Sequence, residues 1–294
     1  MTICATRTNE RVLTTPADDW SRFPMGRNLH GKGIGMAEII DWRKIRSGLI
    51  ETLRMRTDPV GVRLMNGPEL AGLSDVRSLE TTAVCQMIAV SRYGRKNGIV
   101  MTSVEGQKCL WACTCLGMAK SPDRLVRGHL NRAFVKNEAA GKGLQDKIFA
   151  IGNESRIYDG IMTAPLDLFP GEPDAIVLYV TAGQALKVLL GLSYEKGEVV
   201  ENPITGQAAV CQSIARAVTT GMMILEIPCF GDRTYGLVQE DELVIVVPAS
   251  KAKQVIEGIK GTDAFAPYPF RPFLMWPALF PPEFEPTQSE LDRK

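Results

Sequence analysis

Histidine is nearly missing from this chain of 294 residues: there are two, His30 and His129, and neither lies in a repeated stretch. That scarcity argues against a histidine-based catalytic triad and against a histidine-rich zinc site. Charge of one sign is missing too. Thirty-four Lys and Arg against 33 Asp and Glu leave a net +1, so no global field points to nucleic acid or to an acidic membrane surface. No apolar run is long enough to span a bilayer, because the longest, near residues 175–192, is broken by Gln184 and Lys187. The first nine residues lack the charged-then-apolar order of a secretory signal, so the expected location is the cytoplasm. The seven cysteines are an odd number in a long chain and do not form a secreted disulfide framework. In a reducing compartment they remain thiols or hold a metal. What is left is ordinary globular composition, 45% apolar and 23% charged, in a chain able to bury a sizeable core.

Against these absences one stretch stands out because it occurs twice. Residues 83–89 read AVCQMIA and residues 209–215 read AVCQSIA, identical at six of seven positions and 211 − 85 = 126 residues apart. Each copy is followed by an apolar run, GIVMT from Gly98 and MMILEIP from Met222, and each run leads to another cysteine, Cys109 or Cys229. Self-similarity at one offset marks a duplicated unit, which usually builds one core or site from both copies.

Taken in order, residues 1–38 read as a polar N-terminal arm. Its HGKGIG segment follows no strand and opens no βαβ unit, so a flexible linker explains it better than a dinucleotide loop. From Ala37 a helical pattern runs through Ile39, Ile40, Trp42, Ile45, Leu49 and Leu53 and is ended by Asp58-Pro59. Val60–Met65 reads as a strand and Asn66-Gly67-Pro68 as a turn. Thr81 or Thr82 is the expected cap of the first AVCQ helix, which puts Cys85 in a first turn whose dipole favours a thiolate. Gly98–Ser103 is a strand, and Cys109 to Gly117 a loop entering a short helix. In the second half, Asp174–Val180 is a strand and Ala182–Leu192 a helix with Ala185, Leu186, Leu189 and Leu190 inward. The helix of Cys211, a strand Met222–Ile227 and the loop Pro228–Arg233 follow. Leu243–Pro248 is a buried strand and Ala249–Ile259 an amphipathic helix.

These segments divide the chain into an arm at 1–38, a first half at 39–160, a second half at 161–262 and a proline- and aromatic-rich strap at 263–294. The expected fold is mixed α/β (α+β), with two pseudo-twofold-related halves sharing one core. The strap is expected to pack in extended form, with a second copy of the chain as one place for it to do so.

The two AVCQ helices, the cysteine segment ending in Leu116-Gly117, the VLYVTAGQALKVL stretch and the Cys229-x-Gly-Asp-Arg loop together resemble family 169 among the domains of unknown function. The likeness runs from about Asp41 to Gly261. Where relatives commonly have Cys-Pro-Gly, this chain has Cys109-Leu110-Trp111, and it adds Cys113 and Cys115. The resemblance implies no activity, so chemistry rests on the residues.

One reading brings Cys85, Cys109, Cys211 and Cys229 together as ligands of an iron–sulfur cluster, with zinc as the alternative metal and Cys113 and Cys115 as substitutes. Their wide spacing lacks the compact signature of ferredoxins; duplication is the argument. A second reading makes Cys85 and Cys211 small buried residues of duplicated helices, and a third makes the cysteines a reactive or redox thiol site. Gln86 and Gln212 are either donors to cluster sulfurs or a ligand, or contacts between halves. Asp232 and Arg233 are either an anion-binding fork or a turn-stabilising pair. Two functions follow: an iron–sulfur or other soft-metal protein with a redox or reductive role, or a small-molecule or cofactor-binding module whose cysteines only pack. A small-molecule ligand or a redox partner is expected, nucleic acid and membrane are not.

Overall fold

The computed structural model describes residues 40–73, 76–153, 155–270 and 284–291. The arm expected at 1–38, Cys4 within it, and residues 271–283 of the strap lie outside them. The unit that begins at Ile40 is compact. It opens with helix α1 (Trp42–Leu53), capped by the Asp41 carboxylate, which accepts from the Arg43 and Lys44 amides. Trp42, Ile45, Leu49 and Leu53 face inward, as their spacing predicts. The helix stops at Leu53, where Arg54 turns left-handed at φ 52°, and not at the Asp58-Pro59 break.

The remaining elements in chain order are β1 (Val60–Met65), α2 (Gly67–Ala71), β2 (Arg77–Ser78), α3 (Val84–Gly94), β3 (Val100–Ser103), α4 (Leu110–Cys115), α5 (Asp123–Val126), α6 (Glu138–Gln145), β4 (Gly160–Pro165), β5 (Ala175–Thr181), α7 (Ala182–Ser193), α8 (Ala209–Thr220), β6 (Ile224–Glu226), α9 (Phe230–Tyr235), β7 (Glu242–Pro248), α10 (Ala252–Gly261) and α11 (Gln288–Leu291). The architecture is mixed α/β, as expected. None of the described helices is long and apolar enough to cross a membrane.

One seven-stranded sheet organises the chain, in the order β2-β3-β4-β1-β5-β7-β6. All neighbours are antiparallel except β2 and β3. At its centre β1 meets β5, with Val60 opposite Val177 and Gly61 opposite Ile176. Strand alternation then sorts the side chains onto two faces. Val60, Val62, Ile161, Val177, Val244 and Val246 join the core under α3, α4 and α8. On the other face Ile176, Leu178, Ile245 and Val247 pack against α1, α7 and α10. Gly61 is required where it stands, because a Cβ there would lie 2.5 Å from the Phe169 ring.

Helix α7 buries a face that the sequence does not advertise. Leu186 is 46% exposed, while Lys187 is wholly buried. The Lys187 ammonium has three acceptors: Thr262 Oγ1 at 2.9 Å, the Ala266 carbonyl at 2.8 Å and Asp263 Oδ1 at 2.8 Å. Three donors meeting three acceptors make the burial tolerable. The segment after α10 supplies those acceptors, so the helix phase answers to a partner that local periodicity cannot show. Tyr268 and Phe270, from the described part of the strap, pack edge to face with ring centroids 5.6 Å apart and lie beside Gly183 of α7.

Candidate functional site

Each of the four cysteines singled out in the sequence stands at the start of a helix. Cys85 is the second residue of α3 and Cys211 the third of α8, while Cys109 and Cys229 are the capping residues before α4 and α9. Thr82 does not cap α3. Its hydroxyl donates to the Ala83 carbonyl, and the cap position is Ala83, whose amide donates to Gln86 Oε1 at 2.8 Å. Helix α8 is entered through Ala208, held left-handed at φ 49°.

That entry is fixed by Gln212. Its Nε2 donates to Thr205 Oγ1, to the Gln207 carbonyl and to Glu226 Oε2, and its Oε1 accepts from the Phe149 amide. Glu226 in turn accepts from the Thr205, Gly206 and Ile227 amides. The two repeated glutamines therefore do different work. Gln86 is exposed and closes its own helix end, whereas buried Gln212 ties α8 to strand β6 and to the loop before it.

The four thiols pack in or against one core cluster, with Cys85 and Cys211 buried, Cys109 and Cys229 half-buried and Cys115 as a fifth, buried member. Burial pushes the Cys85 thiol up to about 12, and Asp232, Cys109 and Cys229 add to the shift. Cys229 is also raised to about 12, by burial first and by Asp232 second. Cys211 and Cys115 are raised further, by burial and then by neighbouring cysteines, Cys109 among them in both cases. Burial raises Cys109 as well, against the Ala112 and Trp111 amides, which favour its thiolate. Desolvation thus outweighs the helix-end field that the sequence leads one to expect at Cys85, and these residues are protonated thiols at neutral pH. The Cys113 sulfur lies 3.9 Å from the Gln107 carbonyl, and burial, with Cys109 second, lifts it to about 11. Among the described residues no three His, Cys, Asp or Glu side chains stand ready to hold a metal ion.

Asp232 is fully buried beside the thiols, with Oδ2 accepting from the Cys229 amide at 3.1 Å and Oδ1 from the Tyr179 hydroxyl at 3.4 Å. Burial raises its pKa, though the bonds from Cys229 pull the other way. The Arg92 guanidinium lies 4.2 Å from the centre of the Tyr179 ring. Arg233 points away and donates to the Gln239 carbonyl at 2.6 Å, so Asp232 is joined to the thiol region and Arg233 to a surface turn. Sequence reasoning did not find Tyr179 or Arg92. Tyr179 sits in the apolar run of β5 and meets Asp232 only through the tertiary fold, and Arg92, on α3, meets the Tyr179 ring in the same way. Four buried polar atoms without a hydrogen-bond partner among the described residues, Gln107 Nε2 and Oε1, Trp111 Nε1 and Ser213 Oγ, belong to residues two positions from Cys109 or Cys211.

The model of domain-of-unknown-function family 169, described as an uncharacterised ArCR family, matches residues 48–258. An uncharacterized protein of Methanocaldococcus jannaschii is 28% identical over 180 residues, which cover 60% of this chain and 75% of that protein. No solved structure matches.

Proposed function

The chain belongs to family 169 of the domains of unknown function, and from that premise we propose that it is a cysteine-ligated soft-metal protein, holding an iron–sulfur cluster in a redox or reductive role. The observation that carries this reading is that Cys85, Cys109, Cys211 and Cys229, each from the start of a separate helix, meet with Cys115 in one core cluster, where neighbouring thiols add to the raised pKa of Cys85, Cys115 and Cys211. Soft metals select thiolates, and a bound cluster would supply one-electron transfer. Binding would require the thiols to turn onto the metal and release their protons.

The sheet order supports the duplication. Mapping β1, β3 and β4 onto β5, β6 and β7 preserves chain order and every antiparallel neighbour, β3-β4-β1 becoming β6-β7-β5. In both sets an AVCQ helix precedes the middle strand in chain order and a cysteine-started helix follows it. On this reading a pseudo-twofold relates the halves about the β1–β5 pair, and Cys85 and Cys211 are counterparts.

A second reading has an observation of its own. The thiols are raised by burial and no three ligating side chains stand ready, which suits cysteines that only pack, in a module that binds a small molecule elsewhere. Purification without oxygen decides between the two. The metal reading expects a brown protein with iron and acid-labile sulfide bound, or a colourless one with stoichiometric zinc. A colourless, metal-free preparation that folds normally overturns it.

A further inference from the structure

The two ends of the sheet are clothed differently on the face opposite the thiols. Over β5 and β7 three full helices, α1, α7 and α10, seal the surface. Over β4 and the end of β1, Met65, Met162, Ala164 and Phe169 form a smaller cluster flanked by Leu70, Leu73 and Met101. The helix following β1 is α2, five residues long, where the helix following β5 is twelve. At this thin edge, beside the two-residue strand β2, a cavity of about 460 Å3 opens.

Its lining combines apolar and cationic side chains. Leu73, Val76, Ile99 and Pro170 supply the first, Arg77 and Lys96 the second. Neither cation has a hydrogen bond or ion pair among the described residues. The contrast with the next residue is informative: Arg95 is bound to both Asp58 and Asp167. Carboxylates are thus within reach of this turn, and the two cations that line the cavity have none among the described residues.

We propose that this cavity binds a small amphiphilic anion, an apolar body bearing a carboxylate or phosphate head. The volume lies within the range of about 300–1,000 Å3 typical of small-molecule sites, which are mostly apolar with a few placed polar groups. Arg77 offers a planar fork to the anionic head and Lys96 a second positive charge, while the apolar lining takes the body. Because both cations are exposed, the attraction is screened by salt and affinity falls as ionic strength rises. The site is remote from the thiols in role, and its test reads neither metal nor colour, so it stands or falls apart from the proposed function.

The probe is 8-anilinonaphthalene-1-sulfonate, whose fluorescence reports entry into an apolar site. The full chain is expected to bind one equivalent, weakened about tenfold or more by the double substitution Arg77→Glu with Lys96→Glu. Those residues are exposed, so folding should be unaffected, and circular dichroism checks it. Octanoate and octyl phosphate are expected to displace the probe, the better of the two naming the head group, while octanol at equal concentration is not. Unchanged affinity in the double variant, or equal displacement by octanol, overturns the proposal.

Discussion

Arg92 of α3 donates to Glu242 of β7 at 2.5 Å, across 150 residues of sequence and with both side chains shut from solvent. The guanidinium also donates to Thr57 Oγ1 at 3.0 Å, and the second Glu242 oxygen accepts from the Gln239 amide at 2.9 Å. A buried pair of this kind adds little over an apolar replacement, but removing one partner strands the other charge. Arg92→Met should therefore cost about 3–5 kcal/mol, and adding Glu242→Gln should recover part of it. Urea midpoints of the two variants check this. Equal stability of Arg92→Met and the parent would show that the pair does not join the halves.

The cysteine variants separate ligands from packing. Under the metal reading, Cys85→Ala and Cys211→Ala each lose bound metal from a folded protein, and to the same degree. Cys113→Ala, whose sulfur points at the Gln107 carbonyl, should keep it. If the thiols only pack, alanine changes stability slightly and serine costs about 1–3 kcal/mol through an unpartnered hydroxyl. Metal analysis with a denaturation curve on each variant gives the answer. Full metal in Cys85→Ala and Cys211→Ala, with loss in Cys115→Ala, would move the site to the α4 segment.

The raised thiols also set a pH dependence in the metal-free, reduced protein. Cys85 and Cys229 move from the ordinary 9.0 to about 12, and Cys113 to about 11. Above pH 9 the unfolded chain gives up these protons while the folded chain keeps them. Their contribution to stability is therefore complete below pH 9 and is lost as pH climbs toward 12. Guanidinium midpoints at pH 8 and pH 10.5 should fall in that order. A flat or rising profile would mean that the thiols are more open to solvent than described.

Gly258 of α10 lies against α7 so closely that a Cβ would stand 2.1 Å from the Gly191 carbonyl oxygen. Alanine at an ordinary helical glycine is worth about 1 kcal/mol in its favour. Here the obstruction is backbone, which cannot turn aside, and overpacking costs about 1–3 kcal/mol. Gly258→Ala should lower the melting temperature, while Gly143→Ala, with nothing within 4 Å of its Cβ, should raise it or leave it unchanged. A stabilised Gly258→Ala would mean that α7 and α10 separate freely.

Much of this was legible where local pattern and burial agree. Trp42, Ile45, Leu49 and Leu53 mark α1 by spacing, and LVIVVP marks β7 by its apolar run and closing proline. Strand β4, GIMTAP, is not legible because it is buried on both faces, and so has no alternation, and because Gly, Met, Ala and Pro make up four of its six residues. On α7 the structure turns Leu186 outward, against the apolar pattern, because Lys187 is neutralised by residues some seventy-five positions later. At the candidate site the repeat identified the cysteines, but the partners of Asp232 were not legible. Tyr179 reaches it because β5 and β7 pair in one register, Tyr179 opposite Val244, and pairing of that range leaves no trace in a local window.

The three acceptors around Lys187 have a consequence for how the chain is made. Helix α7 leaves the ribosome well before Thr262, Asp263 and Ala266 do, and until they follow, its ammonium has no reason to leave water. Full burial of that position of α7 is therefore expected only once the turn after α10 is present. A product cut short just after α10 would contain every strand of the sheet and still present a bare cation to its own interior. Loss of those few residues is therefore expected to cost stability out of proportion to their number, because it strips a buried ammonium of its three acceptors.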